Sequence, residues 1–362
     1  MTHQQVLKSK RDVVQAGVNV PWRSRLFSLA GLLVLLGLVV VLATSVGSVK
    51  IPLSDTWRIL IDRLPFVHLR VNWSSGTQII IWDIRLPRVL LAGTVGMALS
   101  VAGATYQGLF RNPLADPYLI GVAQGSALGA VIGFLLPLTG LGVTYGIIPA
   151  LAFAGALASV LVVYSLARVG KILPMSTLIL AGVALGALLG AVVAYLTITS
   201  GQMMRSIMFW LSGSFSLSQW SELQVVLPIT LVGSCFILLF GRPLNIMQLD
   251  EEQAKQLGVN VERLKLVLLV VATLITAAAV SFVGIIGFVG IIIPHAVRLI
   301  WGPDYRFLLP LSMLCGAIFL ILGDLLARTM LAPTEIPIGV ITALAGAPFF
   351  LYLLRRKARM LF

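Results

Sequence analysis

Leu26-Phe27-Ser28-Leu29-Ala30-Gly31-Leu32-Leu33-Val34-Leu35-Leu36-Gly37-Leu38-Val39-Val40-Val41-Leu42-Ala43-Thr44 is an apolar run with no charged residue. As a helix at about 1.5 Å per residue it spans about 28 Å, close to the hydrocarbon thickness of a bilayer. It is too long for the core of a signal peptide, and no clean cleavage site precedes Lys50. It therefore reads as an uncleaved first membrane helix, preceded by a basic tail that contains Lys8, Lys10, Arg11, Arg23 and Arg25.

Nine further apolar stretches follow, at about 89–110, 118–137, 146–168, 175–198, 223–240, 264–285, 288–301, 307–328 and 336–354. The stretch 288–301 is short and is broken by Pro294. Composition agrees: 59% of residues are hydrophobic and 11% charged, with mean hydropathy +1.02, whereas soluble chains carry roughly 25% charged residues. The expected fold is an all-α polytopic membrane protein with about ten transmembrane helices. An even number of spans places both termini on one side. With the termini inside, 18 of the 26 lysines and arginines fall in inside segments and eight outside, the bias of a cytoplasmic face. The net charge of +13 then reflects membrane orientation, and no nucleic-acid partner is needed to explain it. Cys235 and Cys315 lie within apolar runs and read as buried thiols, not a disulfide.

The longest polar insert between late spans reads Arg242-Pro243-Leu244-Asn245-Ile246-Met247-Gln248-Leu249-Asp250-Glu251-Glu252-Gln253-Ala254-Lys255-Gln256-Leu257-Gly258-Val259-Asn260-Val261-Glu262-Arg263. Leu249, Gln253, Gln256 and Leu257 share one helical face. Asp250, Glu251 and Glu252 crowd a first turn, where the helix dipole favours negative charge. Gly258 provides a stop. A short helix displayed on a membrane protein suggests docking to a soluble partner.

Catalytic and cofactor motifs are absent. Gly170-Lys171-Ile172 lacks the hydroxyl and the upstream glycine of a P-loop, so the chain has no such site for ATP. His3, His68 and His295 are too scattered for a metal site, and no hydrolytic triad is present. Asp324 and Glu335 are the acids nearest the apolar spans; Asp324 and Arg328, four residues apart, can pair on one helix face. A proton-driven secondary transporter needs ionisable groups near the midplane, and none is placed there. Three classes stay open: a permease worked by an external engine, which the insert and the lack of midplane charge favour, a secondary transporter, and a membrane receptor or scaffold. Arg85-Leu86-Pro87-Arg88 sits at the outer mouth of the second span, where guanidinium groups can capture a partner's carboxylates or pair locally with Asp83 or Glu335. Asn112-Pro113-Leu114-Ala115-Asp116-Pro117 reads as a tight turn on the inside.

Arg85-Leu86-Pro87-Arg88, Asn112 to Pro117 with Gly121, and Leu180-Ala181-Gly182-Val183-Ala184 together resemble the FecCD family. So do Gly287-Phe288-Val289-Gly290-Ile291-Ile292-Ile293-Pro294-His295 and Glu335 to Leu344 followed by Gly346-Ala347-Pro348. These motifs fall in order over residues 26–356. The family comprises permease subunits of ABC importers for iron(III)-siderophores, haem and cobalamin. The resemblance implies a type II ABC importer permease in the bacterial inner membrane and no enzyme activity in this chain. Residues 1–25 then form a cytoplasmic tail, 26–356 the permease domain with its ATPase-docking insert 242–263, and 357–362 a short C-terminal tail. The implied partners are two ATPase subunits, which carry the ATP and magnesium, an external substrate-binding protein, and a second permease copy or paralogue. The implied docking residues for the ATPase are Asn245, Leu249, Glu252, Gln253, Gln256, Leu257 and Gly258. Those for the binding protein are Arg85, Arg88 and Arg328, and the gate falls at Met175, Ser176 and Thr177. An iron(III)-siderophore complex is the expected cargo, with cobalamin or haem as the alternative.

Overall fold

A computed structural model describes residues 21–47, 49–63, 73–136, 141–170 and 172–358. Most of the basic tail, together with His68 and Lys171, lies outside them. The described residues are helical, apart from turns and one isolated bridge between Val169 and Ile172. Fifteen α-helices run in the order α1 Trp22–Ser45, α2 Leu53–Asp62, α3 Ser75–Ile79, α4 Leu86–Leu109, α5 Val122–Leu135, α6 Leu141–Ala167, α7 Met175–Thr199, α8 Met204–Leu211, α9 Trp220–Leu239, α10 Gly241–Ile246, α11 Glu251–Gln256, α12 Val261–Val283, α13 Val289–Trp301, α14 Tyr305–Thr329 and α15 Ile338–Ala358. Seven carry enough length and hydropathy to cross a bilayer, and α5, α13 and α15 are shorter apolar helices. Together these ten correspond to the ten apolar stretches of the sequence.

The helix α4 is the axis of the fold. It packs against α9, α12, α13 and α14, and 89% of its most apolar window is buried. Lipid tails are as apolar as leucine, so helices in a bilayer associate through close packing. Gly96 of α4 and Gly316 of α14 show how: a Cβ on either would overlap the carbonyl oxygen of the other. On one side α5 packs against α6 and α7. On the other, α1 leans on α14 and is only 11% buried, as suits a helix that faces lipid.

Four details differ from the sequence reading. First, the second membrane helix is continuous from Ser75, so Arg85 and Arg88 lie within it and not at its mouth. Pro87 lacks an N–H and crowds the preceding turn, and the ladder just before it widens into a π-helix over Ile80–Arg85. Second, the loop before this helix contains an amphipathic helix, α2. Its Thr56 and Ile59 are buried, while Leu53 and Trp57 are exposed. Third, the polar insert forms two short helices, α10 and α11, in place of one. Fourth, Cys235 is exposed and Cys315 half-buried; both are free.

Candidate functional site

The molecule has two chemically distinct ends. The insert lies at one. Leu244, Met247 and Ala254 seat it in the core, and Gln248 donates to the Gly108 carbonyl at 3.2 Å. Asn245 faces inward: its amide donates to Asp304 at 2.7 Å and its carbonyl accepts from the Tyr305 N–H at 2.8 Å. That bond satisfies one of the otherwise orphaned N–H groups that open α14, so Asn245 is engaged within the chain and not displayed. Burial tends to raise the Asp304 carboxyl, but hydrogen bonds from Arg306 and Asn245 outweigh it and hold it at about 2.

The rest of the insert faces out. Leu249 and Leu257 flank α11 in turns, 44% and 61% exposed. Glu252, Gln253, Gln256 and Gly258 are exposed beside them. Asp250 precedes α11 without a side-chain capping bond, and Gly258 takes φ +82° just past its end, as a glycine stop does. The helix is shorter than the sequence periodicity suggested, but its two leucines remain on the surface.

At the same end, α7 begins at Met175 directly after a strap in which Val169 and Ile172 exchange two backbone hydrogen bonds of 3.1 Å. Met175 rests on the core, Ser176 is exposed and Thr177 half-buried. Farther along, Leu180, Val183, Leu188, Tyr195 and Ile198 leave one side of α7 uncovered.

At the far end, the three arginines expected as displayed docking charges are turned into the protein. Arg85 is 6% exposed and donates to the carbonyls of Thr44, Ser45 and Val49 at 3.2, 2.6 and 2.6 Å. Arg328 donates to the Ala43 carbonyl and lies 3.6 Å from Asp324. Together the two cap the last turn of α1, whose final carbonyls have no helical partner and where the dipole favours cations. Arg88 bridges Asp324 of α14 and Glu335, each at 2.8 Å. Glu335 also accepts from the Ser216 hydroxyl at 2.6 Å. Burial opposes ionisation of Glu335, but Arg88 and Ser216 prevail and lower its pKa. Of the local alternatives read from sequence, the Asp324–Arg328 pair is present, though weaker than Asp324–Arg88. The Glu335 carboxylate goes to Arg88, and Arg85 is held by backbone oxygens.

Sequence reading missed Lys265 and Glu262, which lie among the opening residues of α12 and join the insert to the strap before α7. The available signal was a pair of opposite charges three residues apart at the start of an apolar helix.

The fold is a bundle of about ten apolar helices with a polar insert that displays leucines at one end. The FecCD transport family profile matches residues 33–356, and the chain belongs to that family. It is 50% identical over 294 residues to the cobalamin import system permease protein BtuC of Halobacterium salinarum, covering 81% of this chain and 78% of that protein. The hemin transport system permease protein HmuU of Yersinia pestis is 43% identical, covering 80% and 89%. The iron(3+)-hydroxamate import system permease protein FhuB of Bacillus subtilis is 34% identical, covering 98% and 90%. A solved ABC transporter, described as of metal-chelate type and in an inward-facing conformation, superposes with TM-score 0.76 at 33% identity, covering 91% of this chain and 98% of that one. The protein is thus an ABC importer permease; the ATPase of such a system is a separate subunit.

Proposed function

We propose that the chain forms half of a two-copy pore that imports a metal chelate, driven by two ATPase subunits docked on the insert 242–263. The observation that supports this most directly is the pair of uncovered leucines, Leu249 and Leu257, on a polar insert anchored in the core by Leu244, Met247 and Ala254. With the insert facing the cytoplasm, both termini lie on that side, in accord with the excess of basic residues there. The uncovered side of α7 is the surface we assign to the second copy, with the gate at Met175, Ser176 and Thr177 near the shared axis. We place the external binding protein over the rim organised by Arg85, Arg88 and Arg328. In that arrangement the arginines shape the rim, with Arg88 12% and Glu335 34% exposed.

For the cargo, the relatives named for cobalamin and hemin match at 50% and 43% identity, and the one named for iron(3+)-hydroxamate at 34%. Relatives named for Fe(3+) dicitrate and vitamin B12 match alike, at 39% and 40%, so both a tetrapyrrole-type chelate and the iron(III)-siderophore expected from sequence stand as readings. The test is ATP-dependent uptake into proteoliposomes that contain the permease, its ATPase and its binding protein. Cobalamin, haemin and ferric hydroxamate are offered in parallel. Uptake of ferric hydroxamate alone would select the siderophore reading, and uptake of none would remove the chelate class.

A further inference from the structure

Lys265 is the most deeply buried lysine among the described residues, with its side chain 1% exposed. A lysine ammonium has three protons to donate, and here three acceptors surround it. They are Glu251 Oε1 at 2.9 Å, Glu262 Oε1 at 3.0 Å and the Leu173 carbonyl at 3.4 Å. Each comes from a different part of the chain: α11 of the insert, the first turn of α12, and the strap that leads into α7. The second oxygen of Glu262 accepts from the Leu173 N–H at 2.8 Å. Leu173 is therefore held through both its backbone groups, two residues before α7 opens at Met175. From the other side, Arg111 donates to the Leu249 carbonyl at 3.1 Å and lies 3.7 Å from the Glu251 carboxylate.

A buried charge costs several kcal/mol unless its geometry is good, and an apolar side chain would fill the same space without that cost. What the charge adds is a directional link between otherwise separate segments. Its partners differ in mobility. Glu251 and Glu262 are 34% and 27% exposed, so water can replace part of their bonding, while Lys265 is fixed in the root of a long membrane helix. Coupling between sites runs through contiguous contacts of this kind when the element at one end has two positions.

We propose that Lys265 is the positioning residue that transmits movement of α11 to the strap at Leu173, and through it to the Met175–Thr177 end of α7. The proposal rests on the reading of the insert as the ATPase dock. A load on α11 shifts Glu251, Glu251 draws on Lys265, and Lys265 together with Glu262 moves Leu173. Without this link ATP would still be hydrolysed, but the gate would follow poorly.

The experiment uses the complete reconstituted transporter and the variants Lys265→Met, Glu251→Gln and Glu262→Gln. Three quantities are read: ATPase co-purification, ATP hydrolysed, and chelate taken up per ATP. Uptake per ATP should fall about tenfold in Lys265→Met, with the complex retained. Adding Glu251→Gln to Lys265→Met should cost little more, since both break one link. A purely structural lysine would lower the yield of complex and leave uptake per ATP unchanged; that result overturns the proposal. If Lys265→Met does not fold, Glu251→Gln decides the matter, and an unchanged ratio there overturns it too. Loss of the ATPase from the Glu251→Gln complex would place Glu251 in the dock and also overturn the link. The dock itself is tested separately: an intact complex in Leu249→Asp/Leu257→Asp rejects the docking reading whatever the Lys265 result.

Discussion

The two ends of the bundle both gather charge, yet they use it differently. At the far end, three arginines sit among helices that are already close-packed, and their guanidinium groups are spent on helix-end carbonyls and on two carboxylates. At the insert end, Lys265 and Arg111 reach across separate segments of the chain, and their acidic partners are partly wet. The first arrangement fixes one geometry. The second, under the coupling proposed for Lys265, joins pieces that move relative to one another. Placement, more than the number of charges, separates a frame from a linkage.

The sharpest way to break this contrast is at the far end. Arg88→Ala leaves Asp324, 2% exposed, without its chief partner, and removing one member of a buried pair costs about 3–5 kcal/mol. The expected outcome is a large fall in detergent-solubilised folded protein, read by thermal unfolding. Normal stability with slowed binding-protein association would instead make the arginine a docking charge. Next in size is the insert: Leu249→Asp with Leu257→Asp should abolish ATPase co-purification while membrane insertion stays normal, as judged by pull-down and membrane fractionation. A smaller, state-dependent effect is expected at the gate. Cysteines at Ser176 or Thr177 should crosslink between copies in the resting state and not in the inward-open state; absence of crosslinking under every nucleotide condition would move the gate elsewhere. The smallest effect concerns Asp304. Its folded pKa, about 2, lies below the ordinary 3.8. Its contribution to seating the insert is therefore complete above that ordinary value and is lost as pH falls through about 2. Asp304→Asn should flatten the acid limb of insert protection, measured by hydrogen exchange at Asn245 and Tyr305.

Much of the bundle was legible in the chain because lipid imposes a simple rule. A run such as Leu26–Thr44 has to be a helix, since no water is present to satisfy its backbone. Pro87 misled, because a proline usually marks a helix start, whereas here the π-turn before it lets the helix continue. Leu53–Asp62 was not legible because its apolar face is carried by only ten residues. The spacing put Leu249 and Leu257 on one face of a single helix; both are exposed, but in the turns that flank the shorter Glu251–Gln256 helix. The inward turn of Asn245 was not legible, because its partner Asp304 lies 59 positions away. The role of the arginines depended likewise on which carbonyls end up nearby, and residue type alone does not carry that.

Helix α13 has 13 residues, a rise of about 20 Å against roughly 30 Å of hydrocarbon. On the topology proposed above, residues 284–288 turn at membrane depth. Their neighbourhood is stitched by main-chain bonds: the Ser214 N–H to Val283, Ile338 to Gly213 and Gly339 to Ser212. Irregular backbone at that depth persists only when protein encloses it or water reaches it. On that topology the turn is a dent in the barrier, filled by protein or by water and not by lipid. A cysteine at Gly287 should react with a membrane-impermeant maleimide in the assembled transporter, while one at Leu35 on lipid-facing α1 should not; equal protection of both would show the dent to be sealed.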